Sequence, residues 1–599
     1  MSILKSNQES TFSEYMNIYE RIRKEQPGRT GKKIKIALLA SSTIKGFEEI
    51  LAIKCYELGI HAQVYVGNYN QYTQEIFNEQ SQLYQFKPDL IILFIDILSL
   101  LNDAYFLPYG LNDSERRNLM DEKIEFIKSL LNKLKKALPS KIVLHNFETP
   151  AYSPLGIIEN KQEFGFIESV HYVNDSLKSA FKGDSQIYLF DYDMFCSKIG
   201  KDNLLDTKMY YLGDIKVNPR FMPALCDEYM SYVKPVLSLT KKCIVLDLDN
   251  TLWGGILGED GIDGIKLGPD TEGRPFLEFQ KHLLSLFKRG IILAINSKNN
   301  LADVLKVFKE HPYMVLKEEH FAAMRINWTD KIANMKTIAE EINIGLDTMV
   351  FFDDDKLNRE MIRISLPEVK VVDLPEDCSL YSKTLLALND FNSLQITDED
   401  RQKGEMYVAQ RKRKEYESQT TDINEYLSGM GMAVLIEKAN HFNIPRISQL
   451  TLKTNQFNMT TRRYLEEDII KFSKNDKFLV LAISAKDKFG DNGIIGAVII
   501  EKKHNQWKID TFLLSCRIIG RRIEDVILAF IVKEAQKEKA SLITGEFIYT
   551  EKNVPAKDFY KQAGFKLIEK NDCTEAWAYD AVNQYELPSF IKLELRGRH

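Results

Sequence analysis

The chain has 599 residues, 44% hydrophobic and 28% charged, which is more than one core can organise and implies roughly three or four domains. A net charge of −5 argues against a broad nucleic-acid-binding face. The seven cysteines are scattered, with no CxxC pair, so they indicate neither a zinc site nor a disulfide frame and fit a reducing cytosol.

The first ten residues, MSILKSNQES, lack the basic start and apolar core of a signal peptide. Residues 1–30 are polar and read as an extension. Ile34–Ala40 (IKIALLA) then has the pattern of a buried strand, followed by a helical stretch that Gly59 closes. Further strands are predicted at Ala62–Val66, Leu90–Phe94, Ile142–Leu144 and Gln186–Phe190. Strands alternating with helices imply a parallel α/β layer, assigned to residues 31–238. The most apolar run, Leu90–Leu101, is short and contains Asp96, so it reads as a strand entering a loop and not as a membrane span. These features predict a soluble, cytoplasmic protein.

A second α/β unit, residues 239–396, opens with Cys243–Leu246 and continues through strands at Gly290–Ala294 and Met349–Phe352. Residues 397–430 are charged and helix-forming and read as a helical linker. The last segment, 431–599, reads as α+β. It has antiparallel strands at Leu479–Ser484 and Ile494–Glu501, a strand at Trp507–Leu514, a Gly/Arg turn and a helix at Ile523–Lys537. The overall expectation is a multidomain α/β protein.

The chemistry concentrates in the second unit. Apolar residues lead directly into Asp247-x-Asp249-x-Thr251, and ligands collect beyond the carboxyl ends of parallel strands. One aspartate can attack phosphorus and form an aspartyl phosphate, and the other can protonate the leaving oxygen and later activate water. Two carboxylates would repel a phosphate, so the site calls for a cation, and hard oxygen donors favour Mg²⁺. Ser297 follows a second strand and can bind a phosphoryl oxygen, as can Thr251. Lys331 can neutralise charge on the nucleophile and the phosphoryl group. Asp353-Asp354-Asp355 ends a third strand and can complete the metal site, with Asp353 and Asp354 equally placed as ligands. The expected metal set is thus Asp247, Asp249, Asp353 and Asp354. The stretch between Thr251 and Ser297 holds a short Gly-rich flap but no cap domain, so a bulky substrate would be admitted.

The segments VLDLDNTLWGGILGEDG, INSKNN, NWTDKIANMKTIAEEINIG and VFFDDDKLNRE closely resemble the FkbH-like branch (subfamily IIIC) of the haloacid dehalogenase superfamily. The resemblance implies a Rossmann-like phosphatase core with Asp247 as nucleophile, Asp249 as general acid/base, and Ser297 and Lys331 as the hydroxyl and lysine of the second and third motifs. Glyceryl-transferring members of that branch take 1,3-bisphosphoglycerate and pass a glyceryl group to the thiol arm of an acyl carrier protein, using a cysteine before the Ser-Lys-Asn run. Here that position is Asn296, and the usual Asp-Asp-Asn-Pro reads Asp353-Asp354-Asp355-Lys356. An amide cannot form the thioester. The first expectation is therefore a phosphatase acting on a phosphorylated small molecule or acyl phosphate. Glyceryl transfer and a non-catalytic carrier-protein scaffold are the alternatives.

The first domain resembles an SGNH-hydrolase-like domain, with Ser41 or Ser42 at the nucleophile position, Asn146 as a possible oxyanion-hole residue and Asp214 in the late acidic stretch. The histidine that should follow Asp214 is missing, so a binding scaffold is expected. The last segment resembles a GNAT-type acyltransferase. In that fold Arg517, Gly520 and Arg521 would present the turn that binds the pyrophosphate of coenzyme A or a phosphopantetheine arm, with Arg522 where a small residue is usual. Asn553 and Tyr560 match its later NxxA…FYxxxGF stretch.

Overall fold

The computed structural model describes residues 12–24, 31–396, 398–418, 422–515 and 518–595. It divides into two compact units, residues 1–240 with 389–395, and residues 241–388 with 396–599. The first unit is built on five parallel strands, β1 (Lys32–Ala40), β2 (Ile60–Val66), β3 (Leu90–Phe94), β4 (Lys141–His145) and β5 (Ile187–Phe190), in the order β2-β1-β3-β4-β5. Successive side chains on a strand face opposite ways. Ile36, Leu38, Ile92 and Phe94 accordingly join one core, and Ala37, Leu39, Ile91 and Leu93 join the other. Both faces of the sheet are covered, which is why these strands read as unbroken apolar runs.

The helix Phe47–Glu57 ends at a Gly59 with φ 70°, as its position in the sequence predicts. The run after β3 is not a loop: Asp96 accepts from the Ser99 amide at 2.9 Å and caps a short helix, Ile97–Leu101.

His145, at the end of β4, is fully buried. Its ring lies 4.3 Å from Phe94 and 5.0 Å from Tyr192, centroid to centroid, and its Nε2 is 2.9 Å from the Tyr229 hydroxyl. Burial pulls its pKa down to about 3. The unfolded chain therefore binds the extra proton first, and stability is lost as pH falls below about 6.5, by about 1.4 kcal/mol per pH unit down to about pH 3. Acid unfolding of His145→Phe, followed by circular dichroism, is expected to lack that contribution between pH 6 and 4.

The second unit carries two sheets. The first is parallel, with β6 (Cys243–Leu246), β7 (Ile292–Ser297), β8 (Phe321–Ile326), β9 (Met349–Phe352) and β10 (Lys370–Val371) in the order β10-β9-β6-β7-β8. Strand β8, unmarked in the sequence reading, pairs along β7 and brings Asn327 to the same sheet end as Ser297. The linker region forms helices at Lys403–Ser418 and Ile423–Gly429, with Phe287 against Gly404 and Arg411 paired with Glu318.

The second sheet is built from β11 (Met432–Lys438), β12 (Phe457–Asn458), β13 (Phe478–Asp487), β14 (Gly490–Lys503), β15 (Gln506–Leu514), β16 (Leu542–Ile548), β17 (Lys566–Lys570), β18 (Thr574–Asp580) and β19 (Ile591–Leu595). It is largely antiparallel, with β15 and β16 parallel and joined through the helix Ile523–Lys537. This is the α+β layout expected of the last segment. Among the described residues no helix is long and apolar enough to cross a membrane.

Candidate active site

The carboxyl ends of β6, β7 and β9, with the loop after β8, converge on one crevice. Backbone pairing fixes the first part: the Asp247 amide donates to Phe352 O at 2.9 Å, so the residues after β6 and β9 emerge together. Asp353 is fully buried and Asp247 nearly so. Lys331, at the start of the helix Lys331–Ile342, reaches both. Its Nζ lies 2.9 Å from Asp247 Oδ1 and donates to Asp353 Oδ2 at 2.5 Å. Burial pulls the Lys331 ammonium down, but Asp247 and Asp353 together outweigh it and hold the group above its ordinary value. Burial, reinforced by the Asp247 charge, pushes the Asp353 carboxyl up and raises Asp354 to about 6.

Carboxylate oxygens of Asp247, Asp353 and Asp354 lie within 4.8 Å of one another. Three acids against one ammonium leave two uncompensated negative charges when all are ionised. The donor set is all oxygen, so both charge and ligand type fit a divalent hard cation such as Mg²⁺. The Arg359 guanidinium fixes this loop from behind by donating to Asp353 O at 2.7 Å and Asp354 O at 2.6 Å.

Asp249, expected among the metal ligands, does not join that group. Its Oδ1 accepts from Trp253 Nε1 at 2.9 Å and the Leu257 amide at 3.1 Å, and its Oδ2 from Asn299 Nδ2 at 2.9 Å. These flap and loop donors hold its carboxylate apart. The flap is itself tightly fixed. Gly255 has φ 92°, and a Cβ there would meet Asp260 Oδ2 at 2.5 Å.

Thr251, expected to bind phosphate, is fully buried and engaged with Asp354: its Oγ1 donates to Asp354 Oδ1 at 3.4 Å and accepts from the Asp354 amide at 3.2 Å. Its hydroxyl supports the acidic loop and is not open to a phosphoryl oxygen. Ser297 Oγ accepts from Asn299 Nδ2 at 3.3 Å. Asn296 is fully buried; its Nδ2 donates to Lys331 O at 2.9 Å, and its Oδ1 accepts from Asn334 Nδ2 at 3.2 Å. It braces the lysine helix.

Asn299 and Arg359 escaped the sequence reading. The only signal was position: Asn299 stands two residues after Ser297, and Arg359 lies in the first turn of the helix Lys356–Ser365.

The other candidates fare differently. Arg517 lies outside the described residues. Gly520 adopts φ 85° with open space beside it. Arg521, expected to hold a cofactor anion, is 5% exposed. It donates to Gln410 Oε1 at 2.7 Å, with its Nη1 3.6 Å from Asp487. Asp487 also takes both arms of Arg413, at 2.7 and 2.9 Å. The Arg521 guanidinium is thus turned inward and committed to Gln410 and Asp487. Arg522 bonds Asp525 at 2.8 Å. Asn553 donates to Asn458 O and Ile548 O, so it is a structural brace. Tyr560 is buried against Gly545.

In the first unit, Ser41 donates to Asp96 Oδ2 at 2.5 Å, Asn146 donates to Asp191 Oδ1 at 2.9 Å, and Asp214 pairs with Lys216 at 2.8 Å. His145 is enclosed by aromatic rings, and His171 meets Thr149 Oγ1 at 3.2 Å. The Ser-His-Asp arrangement of a serine hydrolase is not assembled from these residues.

Residues 35–234 match the family model for the FkbH N-terminal domain. No curated protein matches the chain. A crystal structure of the N-terminal part of a Bacteroides fragilis protein, described as containing a phosphatase domain complexed with Mg, is 28% identical. It covers 64% of this chain and 100% of its own, with a TM-score of 0.59. The ribosomal-protein-S18-alanine N-acetyltransferase of Escherichia coli is 10% identical, covers 25% of this chain and 94% of its own, and has a TM-score of 0.20. An N-acetyltransferase from Staphylococcus aureus is 16% identical over 25% of this chain and 99% of its own, also with a TM-score of 0.20.

Proposed function

We propose that this FkbH-like chain is a Mg²⁺-dependent phosphatase of the haloacid dehalogenase type that releases phosphate from a phosphorylated small molecule or acyl phosphate through an aspartyl phosphate on Asp247. The observation that carries the reading is the buried Lys331 ammonium bridging Asp247 and Asp353 beside a third carboxylate, Asp354. Together with the likeness to a Mg-bound phosphatase domain, it supports phosphoryl transfer over a passive role, because a scaffold has no use for crowded buried acids.

In this reading Asp247, Asp353 and Asp354 hold the ion, which supplies charge neutralisation for the incoming phosphoryl group. Asp247 attacks phosphorus as the bond to the leaving oxygen breaks, and Asp249 gives that oxygen its proton. Asp249 then takes a proton from water as the water attacks the aspartyl phosphate, releasing phosphate and restoring Asp247. Trp253, Leu257 and Asn299 hold Asp249 in place for both steps. Ser297 and Lys331 contact the phosphoryl oxygens.

Glyceryl transfer from 1,3-bisphosphoglycerate to an acyl carrier protein is the second reading. Asn296 makes it a direct transfer to the carrier thiol, since this buried amide is used in bracing and offers no sulfur.

The deciding experiment incubates the protein with Mg²⁺ and a panel of phosphate esters and acyl phosphates, with and without a holo carrier protein, and follows phosphate and intact mass. Phosphate release that stops on chelation with EDTA and returns with Mg²⁺ is expected. Mass added to the carrier would shift the reading to glyceryl transfer. No turnover on any substrate would sink both in favour of a carrier-binding scaffold.

A further inference from the structure

A general acid sets where the leaving group lies: the departing oxygen must reach Asp249, so the rest of that group extends past the side chains around this carboxylate. Asp249 is partly exposed. Its Oδ1 accepts from both Trp253 Nε1 and the Leu257 amide, and its Oδ2 from Asn299 Nδ2. Oδ2, on the Asn299 side, is the less engaged oxygen and the one with room to hold and give a proton. Two exposed apolar side chains adjoin these contacts. Ile256, 41% exposed, precedes Leu257 in the flap. Trp328, 72% exposed, follows β8, and its Nε1 donates at 3.2 Å to Oδ1 of Asn300, the neighbour of Asn299.

The loop that carries Trp328 is pinned. The Asn327 amide donates to Ser297 O at 3.1 Å, and Asn327 Oδ1 accepts from the Thr329 amide at 2.9 Å and from Asn334 Nδ2 at 3.0 Å. Lys331 then opens the next helix. The indole is thus set between the segments that carry Ser297 and Lys331, its polar edge engaged with Asn300 and its faces left to solvent. The other three tryptophans, Trp253, Trp507 and Trp577, are buried. A large apolar ring held in water on a fixed loop, at the edge of a charged crevice, is preorganised to meet a ligand, and an indole face favours a flat or apolar partner. The exposed charges on the same loops, Lys298 and Asp330, are of opposite sign, so they select neither an anionic nor a cationic leaving group.

We propose that Trp328, assisted by Ile256, is the specificity-determining contact for the leaving group, and that the preferred substrates are phosphate monoesters carrying an aromatic or other flat apolar group just beyond the ester oxygen. This rests on the phosphatase reading, with Asp249 as the acid, and names the substrate class for it. A glyceryl or other short polyol leaving group would leave the indole uncovered.

Two measurements on the full chain with Mg²⁺ test this. In steady state, the ratio of kcat/KM for phenyl phosphate to that for ethyl phosphate is expected to fall at least about fivefold in Trp328→Ala, mainly through KM, and to be largely kept in Trp328→Phe. The second needs no turnover. Acrylamide quenching of tryptophan fluorescence reports the exposed Trp328, and benzylphosphonate, which cannot be hydrolysed, should shield it at up to about 10 mM, with propylphosphonate and inorganic phosphate much less effective. Shielding by benzylphosphonate without hydrolysis of any ester would count against the phosphatase reading alone and support the contact. Hydrolysis with a phenyl-to-ethyl ratio indifferent to Trp328→Ala would overturn the contact and leave the phosphatase reading standing. Quenching unchanged by benzylphosphonate, or phosphocholine preferred to phenyl phosphate, would also overturn it.

Discussion

Asp247→Asn is expected to lower Mg²⁺-dependent phosphate release by about 10⁴-fold or more, because it removes the nucleophile and leaves no equivalent in reach. The amide is nearly isosteric, so the fold should persist. Indeed the substitution removes one of three crowded carboxylates, and the charge of Asp247 is one cause that pushes Asp353 and Asp354 up. The metal-free variant should therefore be at least as heat-stable as the parent and should bind Mg²⁺ more weakly, since one ligand and one charge are gone. Steady-state kinetics, Mg²⁺ titration and thermal unfolding read the three effects separately. Activity above about 1% of the parent would mean that Asp247 is not the attacking group.

Lys331→Ala is expected to damage both stability and activity. Lys331 is the counter-charge of two buried acids, and deleting one member of such a network costs about 3–5 kcal/mol because the remaining charges stay buried and uncompensated. Part of that loss should return when Mg²⁺ is added, since the ion takes over charge compensation and binds only the folded state. Phosphate release should stay low even with saturating Mg²⁺, because the phosphoryl oxygens lose their ammonium contact. Lys298→Ala, an exposed lysine two strand-end residues away from Asn296, should shift stability by no more than about 0.5 kcal/mol. Urea unfolding with and without Mg²⁺ measures these differences. Equal destabilisation by both substitutions would contradict the buried-network account.

Much of this was legible in the chain itself. Apolar runs followed by acids announced β6 and β9 and the residues that leave them, because strand period and strand-end placement are local properties. The same reasoning located Ser297, Lys331 was picked out within NWTDK, and the family resemblance marked Asn296 as a departure that excludes a thioester. Strand β8 was not legible: FAAMRI has two alanines and a methionine at its centre, residues with little strand preference, and it becomes a strand through pairing with β7.

What only the tertiary structure decided is the direction of side chains. Asp249 and Asp247 are two residues apart, yet one carboxylate enters the ion cluster and the other is drawn to Trp253, Leu257 and Asn299. Thr251 turned out to support Asp354, Asn296 to brace Lys331, and Arg521 to pair inward with Asp487. The sequence by itself determined which groups come to the strand ends, because that follows from the order and length of the strands. Which of them face one another depends on hydrogen-bond partners that include near neighbours, such as Trp253 four residues from Asp249, and groups as distant as Asp354, 103 residues from Thr251. The distant partners meet only when the sheets close, and a buried polar group takes its direction from the partner that satisfies it.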